Sequence, residues 1–268
     1  MIVVMIDLHT HILPGVDDGV GDVEEALLVA NEAENQGVTK LVATPHYVGE
    51  GFQLTPGETK KRVKDLQQVF KQEGLGIEVL PGAEVYITPD LGKKLENGLV
   101  STINDSRYLL VEFPMEKRPS YINEVFYDLK VMGYTPIISH PERYGYIRKN
   151  PNLLYNWIED GIYAQLNAGS LLGKFGNRVK NTAETLVKYN LVQFIGSDLH
   201  SNQRRSQCLE EGFKRLRSLI GKRTERYMEN AKRVINDHEI EFIEPQRYRS
   251  SEGSIKNFFA NGLKKVFG

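Results

Sequence analysis

Seven short apolar runs punctuate the chain, at Ile2 to Leu8, Lys40 to Thr44, Ile77 to Ala83, Tyr108 to Phe113, Thr135 to Ser139, Tyr163 to Ala168 and Val192 to Ser197. Their length and bounding turn residues predict strands. Between them the apolar positions recur at helical spacing over Val23 to Gln36, Thr59 to Gln72, Ser120 to Met132, Asn152 to Glu159 and Arg178 to Tyr189. Four of these stretches run into a glycine (Gly37, Gly74, Gly133, Gly161), the residue that most easily takes the left-handed conformation at a helix end. Strands alternating with helices predict an α/β protein with a parallel sheet whose crossovers cover its outside. The connections Tyr47 to Gly57 and Leu91 to Asp105 leave the helix count open.

Composition narrows the class without naming a chemistry. With 268 residues, 40% hydrophobic and 26% charged, the chain is long enough for one large α/β domain. A net charge of −1 supplies no basic field for nucleic acid and no acidic solvating excess. The single cysteine, Cys208, excludes an internal disulfide and a cysteine-based zinc site, which fits a reducing, cytoplasmic setting. The start, Met1-Ile-Val-Val-Met5, lacks the basic region of a signal peptide, and no stretch has the roughly 18 apolar residues of a membrane span.

The histidines carry the sharper signal. Five of six sit at or just past a predicted strand, interleaved with carboxylates: Asp7-Leu-His9-Thr-His11, Asp17-Asp18, Thr44-Pro45-His46, Glu84, Glu112, His140-Pro-Glu-Arg143 and Ser197-Asp198-Leu-His200. His238, in Asn236-Asp237-His238-Glu239, reads as an ordinary surface residue. An open doubly wound sheet concentrates ligands at one switch point, whereas a barrel collects them from the C-terminal ends of many strands. Here six of seven strands end in or lead to a potential ligand, so a barrel is expected. Strand alternation places Asp7, His9 and, if the strand continues, His11 on one inward face.

Imidazole and carboxylate without sulfur suit Mn²⁺, Fe²⁺ or Zn²⁺, and the residues do not choose among them. Nine candidates (His9, His11, Asp18, His46, Glu84, Glu112, His140, Asp198, His200), at about three to four ligands per ion, accommodate two or three ions. Three divalent ions against the four carboxylates leave a net positive centre that attracts a phosphate dianion. A thiol phosphatase is disfavoured, because the position five intervening residues after Cys208 holds Lys214, not arginine. Gly169-Ser-Leu-Leu-Gly173-Lys174-Phe175 has the wrong spacing for a nucleotide-binding P-loop and reads as a loop. Tyr47, Phe52, Phe113, Tyr144 and Tyr146 lie near the candidates in sequence, as substrate-stacking or packing residues.

This ordered series resembles the PHP (polymerase and histidinol phosphatase) superfamily. More closely, His11-Ile-Leu-Pro-Gly-Val-Asp17-Asp18-Gly19 and Leu110-Val-Glu112-Phe-Pro114 resemble the CpsB/YwqE group of bacterial metal-dependent protein-tyrosine phosphatases, over roughly Met5 to Phe242. The resemblance implies a distorted (β/α)₇ TIM-like barrel with a trinuclear, usually manganese-dependent site. It implies one ion on His9, His11, Glu84 and Asp198, a second on Asp18, His46 and His200, and a third on Glu84 as a bridge with Glu112 and His140. Asp17 competes with Asp18, and Arg204 with Arg205, for their roles. Arg143 and Arg205 match the family's phosphate-contacting arginines.

The activity so implied is hydrolysis of phosphotyrosine on the tail of a bacterial tyrosine kinase that controls capsule or exopolysaccharide assembly. A tyrosine phenol, with a pKa of about 10, departs more easily than a serine alkoxide. Histidinol phosphate or another small phosphomonoester is the alternative substrate, and a catalytically weak, metal-stabilised binding module the alternative class. The barrel is expected over residues 1–245 and a linker with a short amphipathic tail over 246–268. In the tail Ile255, Phe258, Phe259, Val266 and Phe267 recur at helical spacing, with Leu263 near the same stripe and lysines nearby. Its two readings are a peripheral contact with a membrane surface or membrane-bound kinase, and a helix packed back on the barrel or an unstructured end.

Overall fold

Two of the seven predicted strands are each followed, after a two-residue break, by a second short strand that begins on a candidate ligand, His46 or Glu84. The computed structural model describes residues 5–49, 51–202 and 205–249. Its strands are β1 (Met5–Thr10), β2 (Val38–Ala43), β3 (His46–Tyr47), β4 (Glu78–Pro81), β5 (Glu84–Tyr86), β6 (Tyr108–Glu112), β7 (Thr135–Ser139), β8 (Tyr163–Asn167) and β9 (Phe194–Gly196). Pro45, which has no N–H for a ladder, separates β2 from β3, and Gly82-Ala83 separate β4 from β5. The nine segments therefore occupy seven positions around one ring.

All pairings are parallel, in the orders β1-β2-β4 and β3-β5-β6-β7-β8-β9. The ring joins between its first and last strands: His9 O accepts the Asp198 N–H at 3.0 Å, and the His11 N–H donates to Leu199 O at 2.8 Å. Asp7 strengthens this seam by accepting the Ser197 N–H at 3.0 Å and Gln207 Nε2 at 3.1 Å. The result is a distorted (β/α)₇ barrel. Residues Ile103–Asp105 lie against β4, which has no strand partner on its β6 side.

Simple alternation does not hold along β1. Asp7 pairs with Leu41 and Thr10 with Ala43, so β1 carries one extra residue over this interval. The bulge sends both Leu8 and His9 toward the interior, whereas Asp7 bonds to the outer side of the seam. The inward placement expected for Asp7 is thereby corrected.

Helices Val23–Asn35, Pro56–Gln72, Ile122–Val131, Asn152–Glu159 and Asn177–Lys188 occupy the predicted positions. The second starts at Pro56 rather than Thr59 because Thr55 and Glu58 form a reciprocal cap that satisfies its first amides. Three short helices, Leu91–Glu96, Gly145–Lys149 and Ala168–Leu172, arise in segments read as connections. The last includes part of the glycine-containing Gly169–Phe175 loop. Two further helices, Leu209–Ile220 and Glu225–Ile235, bury one face each, the first through Leu209, Phe213, Leu216 and Ile220.

The second of these closes the floor. Its Ala231, Val234 and Ile235 pack against Ile6, Leu8, Val42, Leu80, Leu110, Ile137 and Phe194 from the barrel interior. Tyr108, the first residue of β6, donates to His238 O at 2.7 Å at this same end, where His238 is exposed. An apolar floor leaves the opposite rim, at the C-terminal ends of the strands, as the place where polar side chains can converge. Residues 246–249 follow the barrel wall: Gln246 N donates to Tyr189 O, and Tyr248 N to Asn152 Oδ1, both at 2.8 Å. Of the linker and tail expected over 246–268, residues 250–268 lie outside the described residues.

Candidate metal centre

Glu84 is the hub of the rim. Its Oε2 lies 3.2 Å from His9 Nε2, 3.4 Å from His11 Nε2 and 3.2 Å from His46 Nδ1, while Oε1 lies 3.0 Å from His140 Nε2. The carboxylate is buried, and despite these short separations neither oxygen has a partner in hydrogen-bond geometry. Ligands about 2.1 Å from one cation stand roughly 3.0–3.4 Å from one another, for octahedral and tetrahedral angles respectively. His9 Nε2 and His11 Nε2, 3.2 Å apart, show the same spacing. The donor set fits a cation better than it fits hydrogen bonding within the protein.

Three groups of donors emerge among the described residues: His9, His11 and Glu84; His11, Asp18, His46 and His200; and His46, Glu84 and Glu112. Asp198 Oδ1 adjoins the first, 3.5 Å from His9 Nε2 and 3.6 Å from His11 Nε2. His140 adjoins the third, its Nε2 3.6 Å from Glu112 Oε1. All nine candidate ligands thus converge, with His11, His46 and Glu84 each able to serve more than one group.

Local backbone explains how distant segments meet. The chain after β1 turns back through Val20 N–H donating to His11 O at 3.1 Å, and a Cβ on Gly19 would lie 2.2 Å from that same oxygen. Only glycine fits this approach. The turn swings Asp18 Oδ1 to 3.3 Å from both His46 Nε2 and His200 Nε2. Asp17 instead lies behind the ring: its Oδ2 is 2.7 Å from His11 Nδ1 and accepts the His46 N–H at 2.9 Å. His140, one residue past β7, and Asp198, two residues past β9, have left-handed backbone, φ 33° and 55°, which turns each side chain off its strand into the rim.

Electrostatics follow from this crowding. Burial pushes the Glu84 carboxyl up, but the surrounding imidazoles hold it well below the usual range. Glu112 is raised to about 7 by burial and by the Glu84 charge. His140 is lowered to about 4 by burial and by the Arg143 charge, so its ring is neutral and free to coordinate near pH 7. His11 rises to about 10: burial opposes its charge, but the adjacent Asp17 and Glu84 carboxylates, which favour the charged ring, outweigh it.

Both arginines reach the cluster through Asp198. Arg143 Nη1 donates to Asp198 Oδ2 at 2.9 Å, and its guanidinium carbon lies 4.9 Å from the centroid of the Phe175 ring. Arg205 Nη1 lies 3.3 Å from Asp198 Oδ1 and 2.7 Å from His200 Nε2, whereas Arg204 lies outside the described residues. Tyr47, Phe113 and Tyr144 are buried and serve packing, Tyr146 is half-buried, and Phe52 is exposed. Phe175 closes the Gly169–Phe175 segment, which reads as a loop and carries no sequence signal of an aromatic contact with Arg143. Asp17, Gln165 and Asn167 also touch the candidate ligands; the last two sit on the one strand without a ligand signal, and Asn167 donates to Asp198.

A family model described as capsular polysaccharide synthesis, CpsB/CapC, matches residues 5–236. The tyrosine-protein phosphatase YwqE of Bacillus subtilis (strain 168) is 36% identical over 244 residues, covering 90% of this chain and 96% of YwqE. The tyrosine-protein phosphatase CpsB of Streptococcus agalactiae serotype V is 30% identical over 254 residues, covering 88% and 100% respectively. A chain from the crystal structures of YwqE from Bacillus subtilis and CpsB from Streptococcus pneumoniae, described as unique metal-dependent tyrosine phosphatases, aligns with a TM-score of 0.89 at 35% identity, covering 92% of this chain and 100% of that one. The lactonase Lmo2620 from Listeria monocytogenes, with a TM-score of 0.51 at 12% identity and coverage of 91% and 96%, shares the fold alone. The family match runs from β1 through the helix that plugs the barrel and spans every residue of the rim cluster: the chain belongs to the CpsB/CapC family.

Proposed function

We propose that this chain is a metal-dependent protein-tyrosine phosphatase whose rim holds two or three divalent ions, manganese by family resemblance, with Fe²⁺ and Zn²⁺ compatible with the same donors. His9, His11, Glu84 and Asp198 form one ligand set, Asp18, His46 and His200 a second, and Glu84, Glu112 and His140 a third. The observation that carries the reading is the buried Glu84 carboxylate, ringed by four imidazole nitrogens within 3.0–3.4 Å and lacking a hydrogen-bond donor. Bound divalent ions supply an acidified water and neutralise charge on the phosphoryl group.

The protein's own groups do the rest. Arg143 and Arg205, both beside Asp198, hold nonbridging phosphoryl oxygens, contacts that strengthen as charge moves during transfer. The Phe175 ring packs against the Arg143 guanidinium as a cation–π partner. A tyrosyl oxygen leaves as a phenoxide without a strong acid beside it, which favours aryl over alkyl phosphates. The nucleophile is water rather than Cys208, whose thiol is buried and pushed up to about 11, so that little thiolate exists near pH 7.

The proposed substrate is the phosphotyrosine-bearing tail of a bacterial tyrosine kinase in capsule or exopolysaccharide synthesis, and the proposed setting is the cytoplasm. No helix among the described residues is long and apolar enough to cross a membrane. Any membrane contact is assigned to the tail beyond Gly253, and loss of liposome binding on its deletion tests that assignment. The activity is tested by metal quantification with turnover on a phosphotyrosine peptide and on histidinol phosphate, before chelation, after it and after Mn²⁺ readdition. Chelation is expected to abolish peptide hydrolysis and Mn²⁺ to restore it. Preference for histidinol phosphate overturns the tyrosine reading, and turnover unaffected by complete metal removal overturns the metal reading.

A further inference from the structure

β8 is the strand without a candidate ligand, yet two of its side chains reach the rim. Gln165 and Asn167 lie two residues apart in a strand, and so share a face. Gln165 Oε1 lies 2.9 Å from His9 Nδ1, and Gln165 Nε2 donates to Leu166 O at 3.0 Å. Asn167 Nδ2 donates to Asp198 Oδ2 at 2.8 Å, while its Oδ1 accepts the Gly169 N–H at 2.8 Å. All four side chains are buried.

We infer that Gln165 and Asn167 are positioning residues that aim His9 and Asp198 at the cation, making β8 the support of the metal centre. The inference rests on the metal reading above and assigns roles to side chains that hold no ion themselves.

The backbone partners fix which way each amide points. A carbonyl oxygen cannot donate, so the Gln165 atom facing Leu166 O is nitrogen and the atom facing His9 is oxygen. The oxygen requires a proton on His9 Nδ1, and that proton leaves the lone pair on Nε2, the atom directed at Glu84 and Asp198. Likewise the Gly169 N–H fixes Asn167 Oδ1, so Nδ2 faces the carboxylate. With Oδ2 held by Asn167 and Arg143, Asp198 keeps Oδ1 toward His9 and His11.

Space for Gln165 is reserved at the neighbouring strand. A Cβ on Gly196 would lie 2.7 Å from Gln165 Nε2 and 3.0 Å from the His9 Cβ, so a side chain there would displace the amide from the ring. Glu142 completes the arrangement by accepting the Asn167 N–H at 3.1 Å, which joins the turn after β7 to the end of β8.

The test is a Zn²⁺ titration of the full chain, with ¹⁵N spectra of its histidine rings in the Zn²⁺-loaded state. In the unaltered protein His9 is expected to be protonated at Nδ1. Gln165→Leu is expected to weaken Zn²⁺ binding by about 10–100-fold and to lose that fixed Nδ1 signature, with Gln165→Glu restoring the signature by supplying an acceptor again. Asn167→Ala is expected to weaken binding over the same range while leaving the His9 signature unchanged. Protonation of His9 at Nε2 in the unaltered Zn²⁺ complex overturns the role of Gln165 whether or not any variant folds. Unchanged Zn²⁺ affinity in Asn167→Ala overturns the role of Asn167. Failure of the unaltered chain to bind Zn²⁺, Mn²⁺ or Fe²⁺ removes the metal reading itself, a result distinct from either.

Discussion

Asp17 Oδ2 lies 2.7 Å from His11 Nδ1, on the side of the imidazole opposite the cluster. The same carboxylate accepts the Gly19 and His46 backbone amides at 2.9 Å, so one acidic side chain orients a ring, closes a turn and fixes the start of β3. Its neighbour Asp18 points the other way, toward His46 and His200. Adjacent identical residues thus have unlike work, one behind the ring and one in the cluster.

Asp17→Asn should separate these tasks. Burial raises the Asp17 carboxyl, but the His11 hydrogen bond and charge outweigh it, so the native partner is a carboxylate. Replacing it with an amide removes the charge that fixes the His11 proton, and metal affinity is expected to fall about 10–100-fold while the fold persists. Metal content after dialysis and circular dichroism are the measurements; full metal retention removes Asp17 from the centre.

Arg143→Ala is expected to lower turnover on a small aryl phosphate by roughly 10²–10³-fold. Metal content should stay near that of the unaltered chain, because Asp198 keeps its hydrogen bond from Asn167. A parallel fall in bound metal and turnover would instead mean that Arg143 acts only by holding Asp198.

Cys208 provides a pH-dependent contrast. Burial pushes its thiol up to about 11. At pH 7 the thiolate fraction is then about 1 in 10⁴, and it grows only as pH rises toward that value. Iodoacetamide at pH 7 should leave phosphatase activity intact under conditions where chelation removes it. Rapid inactivation by the alkylating reagent would contradict the assignment of water as nucleophile.

Gly19→Ala probes the turn rather than the chemistry. The added Cβ would meet His11 O at 2.2 Å and His11 Cβ at 2.4 Å, and neither can give way without moving the end of β1. The expected cost is roughly 1–3 kcal/mol, with weakened metal binding because Asp17 and Asp18 shift with the turn. Thermal melting with and without Mn²⁺ reads both effects, and an unchanged melting temperature shows that the turn can adapt.

Much of the architecture was legible because strands and crossover helices leave a one-dimensional trace. Apolar runs marked seven positions, and glycines marked four helix ends. The traces failed where local and tertiary preferences part. The short strands at His46–Tyr47 and Glu84–Tyr86 lie beyond the apolar runs, set off by Pro45 and by Gly82-Ala83, and the bulge in β1 breaks the alternation that would group Asp7 with His9. The final two helices have clear apolar faces, but those faces gain meaning only against the surface they cover.

The chain alone determined the kinds of donor present, their order and the repeated strand-helix unit, since residue identity and spacing depend on nothing beyond the covalent chain. Family resemblance grouped those donors into ligand sets. Tertiary structure decided which side of each donor faces the centre: Asp18 inward and Asp17 behind, Glu84 between four imidazoles, Gln165 and Asn167 against His9 and Asp198. The physical reason is that a hydrogen bond or a coordination geometry depends on direction over about 3 Å, and barrel closure brings Gln165 within that reach of His9 across 156 residues of sequence.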